Sequence, residues 1–180
     1  LGLNMAFFDN RLSFDFAYYN RITNKQIFSL DMDPATGYTA QNINLGKVRN
    51  RGIELLVTGT PIKTNDFQWD LTWNFTKNKN KVLDLPDAFG GETEIYGFSG
   101  GTGLYAIEGG EMGVYKAYVA QKTADGKIIV DENGLPLKST TTQEVGSMNY
   151  KYQMGFGSTF KYKGISLAID FDIRHGGLLF

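Results

Sequence analysis

Alternation of apolar and polar side chains runs through several stretches of the chain and predicts β-strands with one apolar face. Over 11–20, Leu12, Phe14, Phe16 and Tyr18 share one face, while Ser13, Asp15, Ala17 and Tyr19 share the other. Over 67–76, Phe67, Trp69, Leu71, Trp73 and Phe75 oppose Gln68, Asp70, Thr72, Asn74 and Thr76. Tyr152, Met154, Phe156, Phe160 and Tyr162 then alternate with polar residues and glycines. Ile165, Leu167, Ile169, Phe171 and Ile173 alternate with Ser166, Ala168, Asp170, Asp172 and Arg174. Weaker versions occupy 3–8 and 53–57, where Leu56 interrupts the polar side. This makes about six strands, the clearest close to the roughly 9–11 residues that a tilted strand needs to cross a bilayer.

The connections alternate in length. Asp9-Asn10-Arg11, 61–66 and Lys163-Gly164 read as tight turns, and two long connections, about 22–41 and 82–149, lie between them. Short turns at one end and long loops at the other are the habit of an outer-membrane barrel, with the short turns periplasmic and the long loops extracellular. On that orientation Phe7, Phe67, Trp69, Phe160 and Tyr162 fall near one interface, and Tyr18, Trp73, Phe75 and Tyr152 near the other. Strand preference alone also favours aromatic residues. Within the second loop, 84–113 is rich in glycine, a strand pair is expected around Asp125-Gly126, and a second turn at Asn133-Gly134.

Composition agrees with an all-β chain: 13 Phe and 10 Tyr among 180 residues, with 22 Gly. A formal charge of −1 and a pI near 5.9 supply no basic stripe for nucleic acid. There is no cysteine for disulfides or thiolate metal sites, and the lone His175 cannot build a histidine-rich one. No apolar run is long enough for a transmembrane helix, and no charged-then-apolar leader opens the chain. A mean hydropathy of −0.26 fits a membrane barrel as well as a soluble protein, because alternate residues face lipid and lumen.

Candidate chemistry is sparse, and no enzymatic activity is expected. Gly97-Phe98-Ser99-Gly100-Gly101-Thr102-Gly103 lacks the Lys-Ser/Thr of a phosphate-binding loop. Asp131-Glu132-Asn133-Gly134 carries calcium-like oxygens without the remaining ligand spacing, so it reads as a turn, with loop calcium the alternative and no other cofactor expected. Asp170, Asp172 and Arg174 share one strand face, which on the barrel reading points into the lumen, toward a plug or the channel. Tyr96, Phe98, Tyr105, Tyr115 and Tyr118 either stack on a ligand such as a sugar or pack against a partner.

Several segments, in order, resemble the SusC/RagA family of TonB-linked outer-membrane proteins. They are Asn10-Arg11-Leu12 with Tyr18-Tyr19-Asn20 and Ile27; Asn42 to Glu54, which contains Asn50-Arg51-Gly52-Ile53-Glu54; and Trp69 to Phe75 with Lys81-Val82-Leu83. Gly109 to Tyr115, Gly146-Ser147 and Tyr162 to Leu167 follow. Met112 and Met148 depart from prolines common in the family. The resemblance implies an antiparallel transmembrane β-barrel of about 22 strands, of which these residues supply about six. A plug and TonB box would lie outside residues 1–180. It further implies TonB-dependent import of an oligosaccharide or peptide across the outer membrane of a Bacteroidetes-type bacterium, with a SusD-like surface lipoprotein as partner. The rival readings are a soluble β-sandwich that binds carbohydrate, with Phe14, Trp73 and Phe171 as core, and a passive porin-like barrel.

Overall fold

The computed structural model describes residues 1–31, 35, 37, 38 and 40–179 and, within these, all side chains except those of 26, 28–31, 40–43, 45 and 99. Among the described residues ten strands follow in order: β1 (Gly2–Phe7), β2 (Leu12–Asp31), β3 (Ala40–Lys63), β4 (Phe67–Asp84), β5 (Glu92–Gly97), β6 (Gly103–Ile107), β7 (Met112–Ala117), β8 (Gln143–Ser147), β9 (Tyr150–Tyr162) and β10 (Ile165–Gly176). Single 3₁₀ turns lie at Asp87–Phe89 and Ser99–Gly101, and Ala35 is also in 3₁₀ conformation. By internal contacts the chain divides into two compact units, one of Leu1–Ile22, Arg49–Asn80 and Asn149–Gly177, the other of Thr23–Val48, Lys81–Met148 and Leu178–Phe180.

Six strands form one sheet in the order β1-β2-β3-β4-β9-β10. The alternation that predicted these strands also sets their register, since a slip of one residue would exchange the two faces. Phe67 pairs with Tyr162, Trp69 with Phe160, Leu71 with Ser158, Trp73 with Phe156 and Phe75 with Met154. Those β9 residues in turn face Ile165, Leu167, Ile169, Phe171 and Ile173. At the other edge Leu3, Met5 and Phe7 oppose Phe16, Phe14 and Leu12. Lys163 and Gly164, both with positive φ (44° and 89°), close the β9–β10 hairpin in the left-handed conformation that a two-residue turn requires.

The connection expected over 22–41 is for the most part strand: β2 continues to Asp31 and β3 begins at Ala40. A ladder needs only backbone N–H and C=O groups, so pairing outlasts the apolar alternation that revealed it. Twenty residues of β2 extend about 65 Å at roughly 3.3 Å per residue, well past the thickness of a bilayer core. The tight turn expected over 61–66 begins later, after Lys63, because Pro61 stays within β3.

The second connection, expected as a long loop, holds a four-stranded antiparallel sheet in the order β5-β6-β7-β8. Its core is Val48, Val82, Leu85 and Ala106, with Ile95 and Met112 packed against it. Val82 is fully buried. Gly46 (φ 21°) lies so close to the Asp84–Leu85 backbone that a Cβ there would overlap it. Backbone bonds Val82 N–H to Gly110 O (3.0 Å) and Gly109 N–H to Val82 O (2.9 Å) fasten β4 to the loop sheet.

Candidate functional site

The six-stranded sheet presents two contrasting faces. On the apolar one, rows run Trp69–Phe160–Leu167 and Trp73–Phe156–Phe171 across β4, β9 and β10. Trp69 stacks on Phe160 (centroids 5.7 Å, 10° between planes) and Phe75 on Tyr152 (5.8 Å), two cross-strand pairs among the rings of this face. Leu167 is 56% exposed, Phe171 60% and Trp73 37%. An uncovered run of such residues is too large for an ordinary water-facing surface and demands an apolar cover. The rings of a sandwich core would be shielded instead.

In the row between those of Trp69 and Trp73, Ser158 stands between Leu71 and Ile169 and brings a hydroxyl to this face. It is 8% exposed, and its Oγ accepts the Trp69 Nε1–H at 2.9 Å. A buried indole N–H without an acceptor is costly, and an apolar surrounding offers no substitute. Ser158→Ala is therefore expected to destabilise the folded protein by about 1–3 kcal/mol. Urea titration in lipid vesicles checks this, and an unchanged midpoint would show that the bond contributes nothing.

The opposite face is polar. Asp70 accepts hydrogen bonds from Gln68 Nε2 (2.7 and 2.8 Å), Thr60 Oγ1 (2.9 Å) and Lys161 Nζ (3.0 Å). Asp170, Asp172 and Arg174 share this face, exposed on β10, with Arg174 bridging Asp172 at 3.1 Å. Gly157 lies between Thr72 and Asp170 in register, and Gly155 between Asn74 and Asp172, which sinks the surface of β9 below its neighbours. A Cβ at Gly157 would approach Asp170 Oδ1 to 2.7 Å. His175 leaves this group, since it pairs with Tyr152 on the apolar face and stacks on its ring at 4.9 Å.

The five loop aromatics separate into two sets. A bulge between Glu94 and Tyr96 places Tyr96 beside Leu104, which is also opposite Tyr115, while Glu94 stays opposite Tyr105. Tyr96 meets Phe98 edge-on (5.0 Å), and Phe98 lies 6.1 Å from Tyr115. Tyr96 is exposed and Tyr115 is buried, so only the outer part of this cluster is open to a ligand. On the other face Tyr105 donates to Glu94 Oε2 at 2.8 Å, and Lys116 lies 5.1 Å from its ring centroid while binding Glu92 at 2.6 Å. Tyr118 stands apart under Lys138 Nζ, 3.7 Å from its ring centroid.

Burial, and then the hydrogen bond and charge of Glu94, push the Tyr105 phenol up to about 12 from 10.0. A group whose folded pKa is raised contributes stability that is complete below its unfolded pKa, here near pH 10, and is lost as pH climbs through 12. Difference absorbance between the native chain and Tyr105→Phe is expected to show one phenol ionising about two units late. Ionisation together with the other tyrosines would contradict the Glu94 contact.

Residues 119–142 hold a unit that strand alternation does not reveal. Three eight-residue stretches, 119–126, 127–134 and 135–142, close on one another with pseudo-threefold symmetry. Gln121 N–H bonds Leu137 O, Leu137 N–H bonds Ile129 O, and Ile129 N–H bonds Gln121 O, all at 2.8–2.9 Å. Thr123, Asp131 and Ser139 hold equivalent positions, their side-chain oxygens accepting the N–H of Lys127 (3.2 Å), Leu135 (2.9 Å) and Val119 (3.0 Å). Asp131 Oδ1 also accepts from Asn133 N–H at 2.9 Å, so the oxygen weighed as a calcium ligand holds a turn. The strand pair expected around Asp125-Gly126 is reduced to an isolated bridge between Lys122 and Ile128, because the ring of bonds takes up the neighbouring backbone groups. The signal in the sequence was Thr-Ala-Asp-Gly and Asp-Glu-Asn-Gly eight residues apart.

The family model described as TonB dependent receptor-like, beta-barrel matches residues 1–165. The chain belongs to this family. TonB-dependent receptor P3 of Formosa agariphila is 30% identical over 200 aligned positions, which cover 98% of this chain and 20% of that protein. TonB-dependent receptor SusC of Bacteroides thetaiotaomicron is 28% identical, over 93% of this chain and 18% of SusC. Solved structures of the RagAB peptide transporter, and of the RagAB peptide importer in its closed-closed state, superpose with TM-scores of 0.70 and 0.71. They cover 95% and 98% of this chain at 23% and 24% identity, a likeness of fold. The SusC/RagA resemblance and the antiparallel β-barrel class are thereby established for this TonB-dependent receptor segment. It spans about a fifth of the length of the curated relatives it matches.

Proposed function

We propose that the full-length protein is a TonB-dependent importer of the bacterial outer membrane, carrying an oligosaccharide or a peptide too bulky for passive pores, with a SusD-like lipoprotein at its outer face. The uncovered apolar face of the six-stranded sheet carries this reading: Trp73, Phe156 and Phe171 face lipid, while Asp170, Asp172 and Arg174 face the lumen. Strands from the rest of the barrel pair with β1 and β10, since an open edge in hydrocarbon leaves backbone groups unsatisfied. The loop sheet and the threefold unit lie on the extracellular side, where Tyr96 and Phe98 offer a surface to substrate or lipoprotein. TonB acts through a plug outside residues 1–180.

A thiol introduced as Phe171→Cys in the full-length protein should react with a lipid-phase maleimide, and one introduced as Asp170→Cys with a water-soluble maleimide. The reverse pattern would sink the assignment of faces. Uptake of labelled oligosaccharide and peptide mixtures by whole cells should cease when TonB is deleted, whereas undiminished uptake would favour a passive barrel.

A further inference from the structure

The alternation on the outward face does not stop at Phe75 and Ile53; it changes chemistry. Lys77 and Lys79 continue the parity of Trp73 and Phe75 on β4, and Arg51 and Arg49 that of Leu55 and Ile53 on β3. Asn78 Nδ2 reaches Asn50 Oδ1 at 3.2 Å across the two neighbouring strands, which places Arg49, Arg51, Lys77 and Lys79 together at the same end of β3 and β4. One step beyond the Thr76–Gln153 pair, Tyr152 comes level with Lys77, and His175 lies beside Tyr152. A collar of Arg49, Arg51, Lys77 and Lys79 thus borders the apolar band at its long-loop end, with the Phe75–Tyr152–His175 rings alongside.

Two features make this collar a binding surface. Like charges gathered on adjacent strands repel, yet among the described residues none of the four cations has a carboxylate within 4.0 Å. Among the described residues the collar therefore lacks an internal counter-ion, while the four ion pairs seen there lie elsewhere. Its height is the second feature. From Phe67 to Phe75 the apolar positions span nine residues, the length of a membrane strand, and the first cations stand two residues farther, about 7 Å along the strand. One ligand can meet both surfaces: acyl chains over Trp73, Phe156 and Phe171, and a phosphate against the cations.

We propose that Arg49, Arg51, Lys77 and Lys79 form a binding site for phosphate-bearing lipid headgroups in the outer leaflet surrounding the barrel. Arginine supplies paired donors that match phosphate oxygens, and lysine a point charge beside them. The proposal rests on the lipid-facing assignment of this sheet face.

The test uses full-length protein extracted from outer membranes and the variant R49Q/R51Q/K77Q/K79Q, with R49K/R51K as a charge-preserving control. Native mass spectrometry follows retention of diphosphoryl lipid A and of the same lipid with its phosphates removed. Wild type should hold the phosphorylated lipid at least about tenfold more tightly, and the glutamine variant should lose that preference while the lysine control keeps most of it. Equal heat-modifiable migration in electrophoresis establishes that every variant carries a folded barrel. Equal retention of the phosphorylated lipid by wild type and glutamine variant would overturn the site. Displacement of the bound lipid by inorganic phosphate at the same concentration would overturn the lipid as its source. Absence of the wild type from the outer-membrane fraction would instead overturn the membrane reading on which the site depends.

Discussion

Phe156→Arg is expected to destabilise the barrel by about 2–4 kcal/mol, the cost of a guanidinium on the lipid face near mid-bilayer. Phe156 stands midway along β9, with Phe160 and Tyr162 toward one end of its outward face and Met154 and Tyr152 toward the other, so its side chain is remote from both interfaces. Asn74→Arg, on the polar face of the adjacent strand, serves as the control and should cost less than about 0.5 kcal/mol, as surface substitutions away from special features do. Refolding of the full-length protein into lipid vesicles across a urea series measures both. The contrast decides the matter, since a sheet whose apolar face was covered by protein would penalise Phe156→Arg but would show no dependence on bilayer thickness. In lipid the penalty should fall in thinner bilayers as water approaches the substituted position.

Val82→Asp should have the second large effect, confined to the loop sheet. Val82 is fully buried against Val48, Leu85 and Ala106, and its backbone N–H and C=O are already engaged by Gly110 and Gly109. A carboxylate placed there meets no donor, so burying it or leaving it neutral costs about 3–5 kcal/mol. Amide exchange is the measurement: residues of β5, β6 and β7 should lose protection while β9 and β10 keep theirs. Loss of protection in β9 and β10 as well would mean that the two units fold as one.

The six-stranded sheet was legible because its two faces meet different surroundings. Phe67, Trp69, Leu71, Trp73 and Phe75 had to be apolar at every second position, and that period survives in the sequence without any partner strand in view. The loop sheet was not legible in the same way. Its strands are five or six residues long, and register shifts at Glu94/Tyr96, Tyr105/Ala106 and Tyr115/Lys116 break the period of two. Tyr96 and Tyr105 were both recognised as exposed-ring candidates, but only the bulge at Ile95 decides that they lie on opposite faces. Arg49, Arg51, Lys77 and Lys79 leave no such trace, because cations at strand parity resemble the start of a loop. The link that identifies them is the Asn50–Asn78 bond, which joins residues 28 apart.

The threefold unit constrains how this loop can change. Its nine ring and turn bonds engage positions 119, 121 and 123 of the first stretch and their equivalents eight and sixteen residues later, so a lost stretch would leave donors of the other two unanswered. Ala124 and Asp125, Glu132 and Asn133, and Thr140 supply no bond that closes the ring. The unit enters at Val119 and leaves past Ser139 through reciprocal bonds, and Ala117 and Gln143 on either side remain paired. The number of stretches can therefore change only by gain or loss of the whole cassette, 119–142, whereas its turn tips are free to diversify.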